Sequence, residues 1–529
     1  MAANRMTENV LIHELIEESA KKFKDRVAFA EGDNFYTFED LNQLSLRLAR
    51  HFIQLGLKKG DAISAQLPNC WEFVVVHLAA SRIGLVFNPL SPNYRKKELQ
   101  YMLSHCEAKA FVTIDNWKGF NHEQLAHELK AQLPHLQHVL VAGEKKNDRS
   151  ISITALLESE PDSVSDQDIH ENLPAFDDPC IVLFTSGTES NPKGVLHTFR
   201  TFVPCHLLNG KEYQITDNDT ILCLTPLCHM FSLPMIIISL RYGAKHLLYR
   251  EYKSNEIIDL LKKEQVSFLT AAPAHLIDLL RQCEQQNVSG LNPRLILTGG
   301  TKIPAKMVQD LRATLNCDVA AQWGMSEICA GTFTRPGDEA SLTWETVGRP
   351  APVGEVIIVD ERHKPLPTGE IGEIAFKGES LFIEYYKNPQ VTAQSFTEDG
   401  YFLTGDQGWL DEKGYLHFVG RTKDTINRGG LKYHASEIEE ALQMHPKIKQ
   451  VAIVSVPDPR LGERGCAFVS LRENETIDLE EIKEYLQEKG FAKYKFPEYL
   501  VIKDELPTTP SGKISKGLVR AEAASLSEN

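Results

Sequence analysis

Apolar positions along the chain switch between two spacings. Residues 41–55 carry them at helical spacing and predict an amphipathic helix. "DAISAQLPN" from Asp61 predicts a strand running into a turn, and residues 71–84 are apolar almost throughout, as in a buried helix. A polar, Ser/Asp-rich stretch follows over residues 143–178. The short apolar patch at 151–157 inside it is read as part of a connecting segment outside the core. The pattern then resumes, with strands predicted at 266–272, 294–298 and 318–323 and helices at 274–282 and 304–315. Such alternation predicts parallel strands joined by crossover helices.

From about Val347 to Gly420 the chain changes to short β runs, "GEVIIVD" and "GEIGEIAFKGE" among them. Past Arg421 a compact α+β segment begins. Its helix from Asp478 has an N-cap Asp, Glu481 three residues on, apolar Leu479, Ile482 and Leu486, and Gly490 as the stop. The expected division is therefore residues 1–422 and 423–529, with the boundary near Lys423. The fold class is α/β: a large N-terminal domain of two βα sheets with a small β-barrel-like subdomain, then a small mobile α+β C-terminal domain.

Composition changes the picture in three ways. The 529 residues are 42% hydrophobic and 24% charged, an ordinary balance for a soluble chain of two or more domains. The formal net charge of −15 argues against nucleic acid as the main partner. The ten cysteines include no CxxC pair, which fits reduced thiols in a cytoplasmic protein. No signal peptide is read at the N-terminus, and no apolar stretch is long enough for a transmembrane segment.

The candidate chemistry starts at "FTSGTESNPKGV", which follows the apolar run at 181–183. Hydroxyls of Thr185, Ser186 and Thr188, the exposed backbone at Gly187 and the charge of Lys193 suit an anion such as a phosphate chain. The stretch lacks the Gly-Lys-Ser/Thr ending of the usual nucleotide loop, having Pro192-Lys193-Gly194 there. A surface loop after a buried strand is the competing reading. Five further stretches decide between them: "LTGGTKIP" from Leu297, "QWGMSEICAG" from Gln322, "YFLTGDQGWLDEKGYLHFVGR" from Tyr401, "KDTINRGGLKYHASEIE" from Lys423, and "LPTTPSGKISK" from Leu506. The third reads as a hairpin and the fourth as a Gly-Gly turn before a helix. Each alone is ordinary. In this order they form a specific signature.

Together these stretches resemble the adenylate-forming acyl-CoA synthetase superfamily, which also contains peptide-synthetase adenylation domains, and the likeness covers essentially the whole chain. It departs from the family's loop at Glu189 and Ser190, where altered loop dynamics are expected. The resemblance implies ATP, Mg²⁺ and coenzyme A. It places Thr185, Ser186, Gly187, Thr188 and Lys193 around the β- and γ-phosphates. It makes Glu327 the Mg²⁺ ligand, as a hard cation wants an oxygen donor. Ser326 would donate to the α-phosphate. Trp323 would stack on adenine, with Gln322 near its amino group and Gly299 and Gly300 on its other face. Gly324 and Met325 complete the nucleotide stretch. Asp406 would take the ribose hydroxyls, supported by Arg421. Lys513 would reach the reacting carboxylate, Lys423 would be the hinge, and Gly429 and Gly430 would leave room for the pantetheine arm.

The segment "PLCHMFSLP" resembles the family's acyl site, with His229 at its edge. Dihydroxybenzoate-activating relatives carry Asn after that His, whereas this chain has Met230, which suits an apolar, adaptable pocket. Phe231, Ala272, Ala274, Ile328, Cys329 and Ala330 are the other expected lining. The expected substrate is an aliphatic, alicyclic or simple aromatic acid, as in cyclohexanecarboxylate and short- or medium-chain acyl-CoA ligases. The resemblance leaves an acyl carrier protein as an alternative acceptor and allows a homodimer. A non-catalytic nucleotide-binding protein is the remaining alternative, against which Lys513, Glu327 and Asp406 stand together.

Overall fold

The computed structural model describes residues 9–161, 163–185, 192–288, 290–301, 303–509 and 513–524. Two large sheets form its body. One has nine strands, of which six run parallel side by side: Asp318–Met325, Leu295–Gly299, Phe268–Ala271, Thr220–Cys223, Lys245–Leu247 and Val27–Glu31. The other has eight, with a parallel run through Pro179–Thr185, Val86–Leu90, Ala62–Gln66, Ala110–Ile114, His138–Ala142 and Ile151–Ser152. Helices such as Trp71–Arg82 and Phe199–Glu212 pack among them in a continuous apolar core that includes Phe73, Phe87, Phe202 and Ile236. Trp71–Arg82 is buried on all sides, as its unbroken apolar run requires.

The predicted elements recur within a few residues of their expected bounds, for example Phe38–Gln54, Pro273–Gln285 and Ala305–Leu315. Three features differ. The patch at 151–157 is core: Ile151–Ser152 joins the eight-stranded sheet, and Ile153 and Leu157 on the helix Ile153–Glu158 are buried. Its apolar positions, not its polar flanks, decide its place. The strands Gly354–Val359, Gly372–Gly378, Phe402–Leu410 and Leu416–Arg421 form an open antiparallel sheet, with no barrel closure among the described residues. Finally, Gly429-Gly430 does not lead directly into a helix. It turns the hairpin between Thr425–Arg428 and Leu431–His434, and the helix Ala435–Gln443 follows. Both glycines have left-handed φ, +61° and +90°, as a two-residue hairpin turn demands.

The cores segregate. Two apolar clusters contain only residues beyond Lys423, built on Ile426, Ile438, Val469 and Leu486, and on Val454, Phe468 and Val519. There the helix Leu479–Glu488 starts as expected, with Asp478 accepting from the Glu481 N–H at 2.9 Å.

Candidate active site

The C-terminal end of the strand Asp318–Met325 in the nine-stranded sheet carries Gln322, Trp323 and Gly324, and the turn after Leu295–Gly299 brings Gly300 beside them. The hairpin of Phe402–Leu410 and Leu416–Arg421 supplies Asp406 and Arg421, which are directly paired across it. Lys513 comes from the C-terminal segment. These residues line one cleft of about 520 Å³, together with Trp344, Trp409, His417 and Phe418.

Asp406 is the cleft's anchor. Its Oδ2 accepts from the Trp323 Nε1–H at 2.8 Å, and its Oδ1 lies 3.4 Å from Arg421 Nε. Burial pushes the Asp406 carboxyl up, while Arg421 and the indole pull it back. Trp323 is thus fixed at its edge by Asp406, and a methyl group at Gly331 would overlap its ring at 2.5 Å. Gln322 is held from behind, its Oε1 accepting from the buried Tyr213 hydroxyl at 2.7 Å.

The paired glycines answer to different constraints. A Cβ at Gly299 would meet the Gln322 carbonyl at 2.2 Å, so glycine there lets neighbouring strands close. Gly300 has φ +82°, and its Cβ would lie 2.9 Å from Lys513 Nζ. Lys513 as a residue keeps an exposed surface. Its ammonium end is desolvated in the cleft, and burial followed by the Arg421 charge pushes it down to about 8, with Asp406 opposing.

A second knot forms around a residue that sequence reasoning missed. The Tyr385 hydroxyl donates to Glu327 Oε1 at 2.9 Å, and Lys193 Nζ sits 4.6 Å over the Tyr385 ring. Glu327 is buried, and burial pushes its carboxyl up, opposed first by the Tyr385 hydroxyl. Besides Tyr385, the Glu327 carboxylate takes its own backbone N–H, and a buried carboxylate beside Lys193 is the oxygen donor a hard cation wants. The adjacent Ser326 carbonyl accepts from His197 Nε2 at 2.7 Å. Tyr385 gave no signal because it pairs with the Lys193 strand from far along the chain.

Thr185 and Lys193 face each other at the ends of antiparallel strands, with Thr185 Oγ1 3.5 Å from the Lys193 carbonyl. Ser186, Gly187, Thr188, Glu189 and Ser190 lie outside the described residues. Met325 ends its strand half-buried. His229 sits half-buried in a turn, its carbonyl accepting from Ser232 and Leu233. That turn is pinned by another missed residue, Asn69, whose Oδ1 accepts from the Leu227 N–H at 2.7 Å. Met230 is buried in the main core, whereas Ala274 is exposed. His229, Gly429, Gly430 and Lys423 are not part of the cleft wall.

The sequence profile of the AMP-binding enzyme family matches residues 16–386, and that of the AMP-binding enzyme C-terminal domain matches 437–513. The chain belongs to the AMP-binding enzyme family. Among curated AMP-binding enzymes it is 32% identical to the medium-chain fatty-acid–CoA ligase of Escherichia coli strain K12, over 96% of this chain and 89% of that one. It is 30% identical to the 2,3-dihydroxybenzoate-AMP ligase of Bacillus subtilis strain 168, over 96% and 92%. ATP-bound MatB from Rhodopseudomonas palustris superposes with a TM-score of 0.84 at 25% identity, over 98% of this chain and 100% of that one. In this AMP-binding enzyme no helix of the described residues is long and apolar enough to cross a membrane.

Proposed function

We propose that the cleft joins a carboxylic acid to the α-phosphate of ATP and that the same chain then passes the acyl group to coenzyme A. The chain is an AMP-forming acid–thiol ligase of the acyl-CoA synthetase kind, working with ATP, Mg²⁺ and coenzyme A. The observation that carries the reading is Lys513, brought from the C-terminal segment into the cleft beside Asp406, Arg421 and Gly300.

In the first step a carboxylate oxygen attacks the α-phosphorus and pyrophosphate leaves with the electrons of the broken P–O bond. Two anions must meet. At about 4 Å two unit charges repel by about 1 kcal/mol in water and several times more in a drier site. The Lys513 ammonium offsets that repulsion where the charges converge. Asp406, in the cleft wall, accepts from the ribose hydroxyls. Trp323 and Gln322 hold the adenine. Thr185 and Lys193, at the facing ends of their strands, hold the outer phosphates. Glu327 would hold Mg²⁺, which would supply charge neutralisation at the phosphates. In the second step the thiol sulfur attacks the acyl carbon, its proton departs, and AMP leaves.

Residues 1–422 form the nucleotide-binding domain and 423–529 a domain that turns about Lys423. This orientation presents Lys513; a second would bring the Gly429–Gly430 turn to the site for the thiol. The acid is apolar, because Met230 offers no donor to a ring hydroxyl. The chain works in the cytoplasm, where a reducing environment suits ten free cysteines. Carrier-protein loading is the second reading, supported by likeness to an aryl-AMP ligase.

The deciding assay is AMP release over a panel of carboxylic acids, with and without coenzyme A. Acid-dependent AMP release stimulated by coenzyme A, with acyl-CoA formed, is expected. Release that responds to a phosphopantetheinylated carrier protein and never to coenzyme A would establish the second reading.

A further inference from the structure

We propose that Cys205, His206 and Cys329 form a site for one soft divalent cation, with zinc as the ion it suits best, in the core. The two thiol sulfurs and an imidazole nitrogen all lie within 4.8 Å of one another, and all three residues are buried. Cys205 and His206 are consecutive on the helix Phe199–Glu212, and Cys329 opens the strand Cys329–Phe333 two residues after Glu327. The site joins two elements remote in sequence, and no sequence spacing announces it.

Three observations point to a ligand. The donor set is mixed sulfur and nitrogen, which selects zinc-like ions over Mg²⁺ or Ca²⁺. His206 Nε2 is buried and has no hydrogen-bond partner among the described residues. A buried polar atom left in this way is unfavourable, and metal coordination would relieve it. Cys329 is held at φ +59°, a left-handed conformation that non-glycine residues seldom adopt. The three donors already converge, Cys205 bonding the side chains of Cys329 and His206. Their other contacts are backbone carbonyls, Phe202 at 3.2 Å and Thr201 at 3.4 Å for Cys205 Sγ and Ser380 at 3.8 Å for Cys329 Sγ.

Binding would displace the thiol protons and draw the donors inward by a fraction of their present separation. It would clamp the helix Phe199–Glu212 to the strand that follows Glu327. A site this enclosed fills as the chain folds, so the cation must be supplied during expression.

The test is metal content. Full-length protein expressed in zinc-supplemented medium and purified without chelator is expected to carry close to one zinc per chain by mass spectrometry of the elements. Cys329→Ser and His206→Ala should each lower that occupancy by roughly tenfold or more. Cys466→Ser, which alters a buried thiol in the C-terminal core, should leave it unchanged. Cobalt supplied in place of zinc should give a thiolate-to-cobalt absorption band in wild type and in Cys466→Ser only. Folded wild-type protein without stoichiometric zinc would overturn the proposal even if the site variants fail to fold. So would zinc retained by Cys329→Ser, or a Cys205–Cys329 disulfide in protein purified without reductant.

Discussion

Tyr385→Phe removes one oxygen from the knot around Glu327 and leaves the rest standing. The lost contact is a 2.9 Å hydrogen bond to a buried carboxylate, while the ring beneath Lys193 stays. A hydrogen bond to a charged group contributes about 1.5–3 kcal/mol. At about 1.4 kcal/mol per factor of ten, adenylation should fall roughly 10- to 100-fold in kcat/KM. The sign of the pH effect follows from the Glu327 carboxyl, which burial pushes up and the Tyr385 hydroxyl holds down. Losing that donor raises its proton affinity further. The acid limb of the rate profile should move to higher pH, and more Mg²⁺ should be needed for half-maximal rate. Acid-dependent exchange of pyrophosphate into ATP, measured across pH and Mg²⁺ concentration, reads all three. Tyr385→Leu also removes the ring and should lose roughly a further 0.5–2 kcal/mol from Lys193. A Tyr385→Phe enzyme with wild-type rate, pH profile and Mg²⁺ dependence would refute the assignment of Glu327 as the cation's holder.

Four other outcomes are expected. Lys513 is pushed down to about 8 from an ordinary 10.5, so the resting chain should lose adenylation rate as pH rises through about 8, and Lys513→Arg should abolish that limb because arginine keeps its charge. The same depression means that its burial opposes folding below about 8 and ceases to do so as pH rises toward 10.5; a thermal melt across that window reads it. Met230→Asn puts an amide into the apolar core, costing about 1–3 kcal/mol if unpaired, and kcat/KM should fall more for aliphatic acids than for ortho-hydroxylated aromatic ones; equal falls would remove Met230 from the acyl site. Lys423→Pro fixes φ near about −65°, and should keep pyrophosphate exchange within roughly tenfold while thioester formation from supplied acyl-AMP drops about a hundredfold or more, the scale of a lost positioning effect; equal damage to both half-reactions would refute the two-orientation scheme.

What was legible in the sequence depended on how local the cause was. Asp478 announced its helix because the cap, the Glu481 N–H it receives and the apolar face all fall within a few turns. The alternating elements announced a parallel sheet for the same reason. Motif order placed Lys513, Asp406 and Trp323 on one list, and the structure places them in one cleft. The misses were contacts between distant segments. Tyr385 reaches Glu327 only because its strand pairs with Val195 and Leu196, and Tyr213 reaches Gln322 from the end of a helix over a hundred residues earlier. The 151–157 patch is the exception: the strand it pairs with, His138–Ala142, lies only a short way upstream, and its polar flanks outweighed Ile153 in a local window.

The proposed hinge has the contacts such a motion needs. Asp424, next to Lys423, pairs with Lys516 and Arg520, and Lys516 pairs with Glu439 at 2.7 Å. All of these groups lie beyond Lys423, so a turn there carries them as one body and breaks none of them. What must break is different in kind. Ser436 Oγ donates to the Val419 carbonyl at 2.9 Å, and Lys513 leaves Gly300 and Asp406. Neither contact is apolar, and the two sides keep separate cores. Polar contacts exchange for water at little net loss, whereas splitting a shared core would expose apolar area at about 25 cal/mol per Å². The desolvated Lys513 ammonium even gains hydration as it withdraws. In the proposed scheme, acyl-AMP formation and pyrophosphate departure would remove the negative charge that favours the lysine's entry, so the first step itself would weaken the orientation that performs it.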